Sequence, residues 1–347
     1  MLEAKQSKMK DASVNFFWLG VSCHCRCRHC LLNSGGRIST VPYENARRVV
    51  ERFLHWRDAQ EANDLTINFA VGYSCDFPQL VEHVKFCTRS RLSGANSLQA
   101  GGWRRRSEEE LREFLSVLKS AGVSKVGLSF YGIGKSHDDF AGRKGDFDLL
   151  LNIAQAVADC GMQRFETIFL RKGFTGELPA LLHELESIPG CCSRSLSPFD
   201  YRGRGKLLEE VRPTLADIEA LPDHVLQFLN RKGYKTEREW VQSIATGAIP
   251  EKKYRHYFIP IWDENIEELD TLAPDTILLR LRQRDNRLNE SLPSLADLAN
   301  VFADPDGERL YALRDLEWKW QGMYLDQHPE INASGRFDDL SECVLKK

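Results

Sequence analysis

Four cysteines fall within eight residues, in the run Val21-Ser22-Cys23-His24-Cys25-Arg26-Cys27-Arg28-His29-Cys30. That spacing is too tight for a framework of disulfide staples, and thiolates are soft donors suited to iron or zinc. Cys23, Cys27 and Cys30 spell C-x3-C-x2-C. Three thiolates leave one iron of a four-iron cubane without a protein ligand, whereas a fully ligated cluster takes four cysteines. The open iron is then available to an exogenous ligand. A zinc knuckle is the alternative, with ligands drawn from the same cysteines and from His24 and His29. Zinc sites usually pair a C-x2–4-C with a second pair a dozen or more residues away, and no such pair follows closely here.

The loop follows a strand-like run, Phe16–Val21, and five more such runs succeed it: Leu65–Val71, Asn96–Ala100, Lys125–Tyr131, Arg164–Leu170 and Arg194–Phe199. Between them lie helical patterns near Tyr43–Trp56, Pro78–Ser90, Glu108–Ala121, Phe147–Cys160 and Glu177–Ile188. Ser107-x-x-Glu110 fits a capping box, and Gly122 and Gly161 stand where helix C-caps belong. This alternation predicts successive βα units on a parallel sheet, an α/β fold whose functional face is at the strand C-termini. After Asp200 the pattern changes. Helix-like stretches lie around Leu215–Lys232 and Glu237–Thr246, and further elements are expected at His256–Trp262, Asp275–Arg284, Pro293–Phe302 and Leu310–Leu325. The 347 residues carry 47 Lys and Arg against 50 Asp and Glu, a net charge of -3, which argues against nonspecific attraction to nucleic acid or membranes. No apolar run approaches the ~18 residues of a membrane span, and Met1–Val14 is too polar for a signal peptide, so a cytoplasmic location is expected.

On the cysteine loop after the first strand the chain resembles the radical S-adenosylmethionine (SAM) superfamily, whose loop is C-x3-C-x-Φ-C. His29 takes the place of the usual aromatic Φ, and the flanking arginines are similar to the branch of the molybdopterin-precursor cyclase and the peptide-modifying enzymes. The resemblance implies a partial (β/α)6 TIM-like barrel with a C-terminal α+β extension. It also implies a [4Fe-4S] cluster on Cys23, Cys27 and Cys30, with SAM as cofactor on the open iron. One electron, from a donor such as flavodoxin or ferredoxin, would split SAM into methionine and a 5′-deoxyadenosyl radical. Later motifs match more weakly. Where the family has Gly-Gly-Glu-Pro, this chain has Val71-Gly72-Tyr73-Ser74, keeping Gly72 and losing the Glu. Leu98-Gln99-Ala100-Gly101-Gly102-Trp103 stands at a Thr-Asn-Gly turn. Ser129, in Val126–Gly132 and followed by His137-Asp138 and Gly142-x-x-Gly145-x-Phe147, would face ribose or the SAM carboxylate. Lys172 of Lys172-Gly173-Phe174 would neutralise that carboxylate, with Arg171 as the neighbour able to replace it. The loop Tyr201-Arg202-Gly203-Arg204-Gly205-Lys206 puts Arg202 and Arg204 where an anionic substrate group could bind.

The resemblance reaches about Leu221, which divides the chain into a core at 15–221 and an extension at 222–347 that binds substrate or covers the barrel. Beyond Cys192 there is one cysteine, Cys343, too few for the auxiliary clusters that many members of this branch carry. The expectation is an enzyme that abstracts hydrogen from a peptide or a small polar or anionic metabolite. Two rivals stand beside it: a non-catalytic iron–sulfur or zinc regulator, and a degenerate member that binds SAM without cleaving it.

Overall fold

The computed structural model describes residues 12–34, 38–59, 65–229, 233–249, 255–304 and 306–331; Cys343 lies outside them. Six parallel strands follow the expected order: β1 (Ala12–Trp18), β2 (Thr66–Val71), β3 (Ser97–Gln99), β4 (Lys125–Phe130), β5 (Gln163–Leu170) and β6 (Cys192–Pro198). The helices between them are α1 (Tyr43–Ala59), α2 (Leu80–Arg89), α3 (Glu108–Ala121), α4 (Lys135–Ala141), α5 (Asp146–Asp159) and α6 (Leu178–Ser187). Only the short α4 was not foreseen. Helix α3 starts on the expected capping box, with Ser107 Oγ accepting from the Glu110 amide and Glu110 accepting from the Ser107 amide. Such a cap is worth about 1 kcal/mol. It ends on Gly122 in the left-handed region, at φ 118°.

Strand β1 starts four residues before the expected Phe16 and stops at Trp18. Its polar residues explain the difference. Along a strand alternate side chains face opposite ways, and here Val14, Phe16 and Trp18 are buried while Asn15 and Phe17 are half-buried. Phe16 packs edge-on against Phe53 of α1, with ring centroids 4.8 Å apart. The same division holds in β4 and β5, where Val126, Leu128, Phe130, Ile168 and Leu170 are buried and Ser129, Thr167 and Phe169 are half-buried. One face of the sheet therefore packs on the helices, and the other is a partly open row of small polar and aromatic side chains.

The remaining elements are α7 (Leu215–Glu219), α8 (Asp223–Leu226), β7 (Lys235–Thr236), α9 (Glu237–Ala245), β8 (Arg255–Ile261), α10 (Ile266–Thr271), α11 (Pro274–Ser291), α12 (Leu295–Phe302), β9 (Leu310–Tyr311) and α13 (Leu313–Gln327). Hydrogen-bonded ladders give two parallel sheets, β2-β1-β8 and β3-β4-β5-β6, which read in succession as 8-1-2 and 3-4-5-6, the strand order of a partial barrel. Ser74 Oγ donates to the Gly102 carbonyl at 3.1 Å and ties the loop after β2 to the loop after β3. Strand β8 comes from the C-terminal stretch and lies parallel on the free side of β1, with Ser13 opposite His256 and Asn15 opposite Phe258. It covers backbone groups that would otherwise form an exposed edge. A second small core gathers Trp240, Ile244, Leu298, Tyr311, Leu316 and Trp320 from α9, α12, β9 and α13. Among the described residues no helix is long and apolar enough to cross a membrane.

Candidate functional site

The cysteine loop leaves the C-terminal end of β1 and is held on three sides by backbone. The His24 amide donates to the Gly102 carbonyl at 3.4 Å. The amides of Arg26 and Arg28 donate to the carbonyls of Ala141 and Phe140 at the end of α4, both at 2.9 Å. The Arg204 amide donates to the Cys30 carbonyl at 3.1 Å. Gly102 has φ 75°, and a Cβ there would fall 2.2 Å from Cys23 Sγ, so only glycine lets the turn after β3 come this close.

Each of the three spaced sulfurs accepts a hydrogen bond. Cys23 Sγ accepts from the Cys25 amide at 3.3 Å, Cys27 Sγ from the Tyr131 hydroxyl at 3.9 Å and Cys30 Sγ from the Ser34 amide at 3.2 Å. Hydrogen bonding to Cys25, together with burial, pushes the Cys23 and Cys27 thiols above their ordinary range. The same shared bonds hold the Cys25 thiol down at about 4. Cys25 itself is buried, with its sulfur 3.6 Å from Asp146 Oδ1. Asp146 also receives His137 Nε2 at 3.1 Å and Arg143 Nε at 2.8 Å. Burial opposes its ionisation, yet these partners hold its carboxyl below the ordinary range. The Tyr131 amide donates to His137 Nδ1 at 3.2 Å, which places the ring proton on Nε2, facing Asp146.

This donor set fits a three-cysteine [4Fe-4S] cluster: three partly exposed cysteines on one loop, each sulfur accepting a hydrogen bond from a neighbouring amide or hydroxyl. Among the described residues no three His, Cys, Asp or Glu side chains converge as ligands of a single ion. A cubane does not need that, because its cysteines bind different irons.

His29 lies in an aromatic group, with ring centroids 4.7 Å from Phe169, 4.8 Å from Tyr131 and 5.6 Å from Phe140. Burial lowers its pKa to about 4, so the ring is neutral there. Gly72 donates its amide to the Trp18 carbonyl at 2.9 Å and packs on Leu19. Ser129 stands on the half-buried row of β4, opposite Thr167 of β5. Lys172 is exposed, with its charge beside Asp217. Arg171 is the cation turned towards the end of β4: its Nε donates to the Tyr131 carbonyl at 3.2 Å, and it pairs with Ser136 and Glu177. Arg204 and Arg202 are both engaged within the protein. Arg204 Nη2 donates to Ser34 Oγ at 2.8 Å. Arg202 pairs with Asp200 and lies 4.9 Å over the Trp318 ring, whose other cationic neighbour is Arg314 at 4.2 Å.

Sequence reasoning missed Ser34 and Asp146. Asp146 occupies the unmarked position between Gly145 and Phe147 in a stretch that was otherwise recognised, and no local signal marks Ser34.

No family model matches the chain. It is 31% identical over 223 residues to the Fe-coproporphyrin III synthase of Methanosarcina barkeri (strain Fusaro / DSM 804), a match covering 62% of this chain and 52% of that protein. The chain spans about half the length of that curated relative. Among solved structures, Streptococcus suis SuiB bound to precursor peptide SuiA superposes with a TM-score of 0.45 at 12% identity, over 72% of this chain and 49% of that one. Coproporphyrinogen III oxidase (HemN) from Escherichia coli, described as a radical SAM enzyme, superposes with a TM-score of 0.43 at 12% identity, over 90% and 91%.

Proposed function

We propose that this chain is a radical SAM enzyme, which cleaves SAM reductively and uses the resulting radical to abstract hydrogen from a substrate held on the open face of the barrel. The observation that carries this reading is the loop after β1, in which Cys23, Cys27 and Cys30 each present a sulfur supplied with a hydrogen-bond donor. A [4Fe-4S] cluster bound there would supply the electron that splits the sulfonium of SAM. The protein's own residues do the rest. His29, Tyr131, Phe169 and Phe199 keep water from the inner side of the loop. Ser129 supplies a hydroxyl towards the cofactor, and Arg171 is the cation better placed than Lys172 to meet a carboxylate.

Substrate choice is read from the open row. On β8, β1 and β2 it carries His256, Ser13, Asn15 and Asn68, linked by Ser13 Oγ to His256 Nδ1 at 2.7 Å, Asn15 Nδ2 to Ser13 Oγ at 3.0 Å and Asn68 Nδ2 to Asn15 Oδ1 at 2.8 Å. Across β4 to β6 it continues as Ser129, Thr167, Ser195 and Ser197. Amides and hydroxyls suit an uncharged polar group such as a peptide segment. A multiply anionic substrate would need cations, and Arg202 and Arg204 are already committed elsewhere. The loss of the family's Glu at Tyr73, which has φ 62°, favours the second reading, a member that binds SAM without cleaving it. One experiment separates the two. Reduced, cluster-reconstituted protein incubated with SAM is expected to form 5′-deoxyadenosine; an intact cluster with bound SAM and no 5′-deoxyadenosine would establish the degenerate reading instead.

A further inference from the structure

We infer that Arg204, acting through Ser34, is a positioning residue that clamps the cysteine loop and holds a hydrogen bond on the Cys30 sulfur. The argument is a continuous chain of contacts. The Arg204 amide donates to the Cys30 carbonyl at 3.1 Å. Its guanidinium Nη2 donates to Ser34 Oγ at 2.8 Å and to the Ser34 carbonyl at 3.2 Å. Ser34 Oγ in turn donates to the Cys25 carbonyl at 3.0 Å, and the Ser34 amide donates to Cys30 Sγ at 3.2 Å. Ser34 is buried, at 4% exposure. The loop after β6 reaches this position because Gly203 has φ 53° and would place a Cβ 2.5 Å from the Leu31 carbonyl oxygen. Any side chain there would lift Arg204 away from the cysteine loop. The Arg-Gly-Arg pattern is therefore explained at Arg204 by a contact within the protein, without an anionic substrate.

The physical consequence is local. An N–H bond to a ligand sulfur stabilises added negative charge, and hydrogen bonds to the sulfurs are one determinant of a cluster's potential. Arg204 fixes Ser34 by two bonds from one planar group, a geometry that lysine cannot reproduce.

The test has two arms, and only the second rests on the proposed cluster. In cluster-free protein under anaerobic conditions, iodoacetamide labelling of each cysteine is followed by mass spectrometry for wild type, Ser34→Ala, Arg204→Lys and Arg204→Ala. Cys30 is expected to label about five-fold more slowly in Ser34→Ala and Arg204→Ala, because the reactive thiolate loses the stabilisation of about one ordinary hydrogen bond. Arg204→Lys should be intermediate, while labelling of Cys75, outside the loop, should not change. In reconstituted protein, a redox titration followed by electron paramagnetic resonance should place the midpoint of Ser34→Ala below that of wild type. Ser34→Ala removes a single oxygen and decides the matter even if Arg204→Ala does not fold. Wild-type labelling rates at Cys30 in a folded Ser34→Ala, with an unshifted potential, would overturn the clamp. Failure of wild type itself to take up a cluster would count against the proposed function and leave the labelling arm standing.

Discussion

Cys25 and its three neighbours differ in what their sulfurs touch. Those of Cys23, Cys27 and Cys30 are partly exposed and accept hydrogen bonds, whereas Cys25 is buried and directed at Asp146, which is also held by His137 and Arg143. Replacing Cys23, Cys27 or Cys30 by Ala should therefore take reconstituted iron well below the ~4 per chain of a cubane and abolish 5′-deoxyadenosine formation. Cys25→Ala should keep the iron and cost about 1 to 2 kcal/mol of stability, for a lost buried contact. Iron analysis and chemical denaturation read these two effects separately, and the reverse pattern would remove the cluster assignment. A second residue-scale consequence concerns His83, buried among Tyr43, Phe69 and Phe77 with its pKa lowered by burial to about 4. The fold holds this ring neutral, while the unfolded chain takes up a proton near pH 6.5. Its contribution is thus fully present above pH 6.5 and is lost as the pH falls towards 4, by on the order of 3 kcal/mol. His83→Phe should give a shallower loss of stability over that window in urea denaturation series; an unchanged slope would show that the ring is not held neutral.

At the scale of elements, β8 is the contribution that the sequence conceals. The apolar run His256–Trp262 announces an element, but the choice of β1 as its parallel partner is made across more than two hundred residues, and no periodicity encodes that. Ile259, at 4% exposure on β8, faces the main core. Ile259→Ala is expected to cost about 2 to 5 kcal/mol in a single cooperative transition. A loss confined to a separate early transition would mean that β8 is not part of the barrel's folding unit. The helices were more legible, because caps and a 3.6-residue period are local: α3 begins and ends where Ser107 and Gly122 direct it. The start of β1 was obscured by Ser13 and Asn15, polar residues that face the open row and interrupt an apolar pattern. The cysteine loop was legible for a related reason, since its spaced cysteines lie within eight residues. The partnership of Cys25 with Asp146 joins positions 121 residues apart, and only the folded chain brings them together.

Across the whole molecule, the distribution of sulfur bears on how many clusters the chain can hold. Outside the loop, the described cysteines are dispersed. Cys87 sits on α2 beside His83, Cys160 closes α5, and Cys75 follows β2. Cys191 and Cys192 are at the start of β6. Seven residues of strand separate them from the loop-bearing end of that sheet, roughly 20 Å at the usual rise. Four-cysteine clusters need their ligands gathered in one place, and these five do not gather. Among the described residues the one gathered group of sulfurs is at the strand C-termini, where a barrel also collects its substrate-binding loops. A single centre implies that anaerobic reconstitution saturates near ~4 iron and ~4 sulfide per chain. The triple replacement of Cys23, Cys27 and Cys30 by Ala should then bring both values close to zero, because no other cysteines among the described residues gather to take up the metal. A reproducible value near ~8 in wild type, or about half of it surviving the triple replacement, would require a second centre. Such a centre would have to draw on Cys343 or on cysteines that this fold keeps apart.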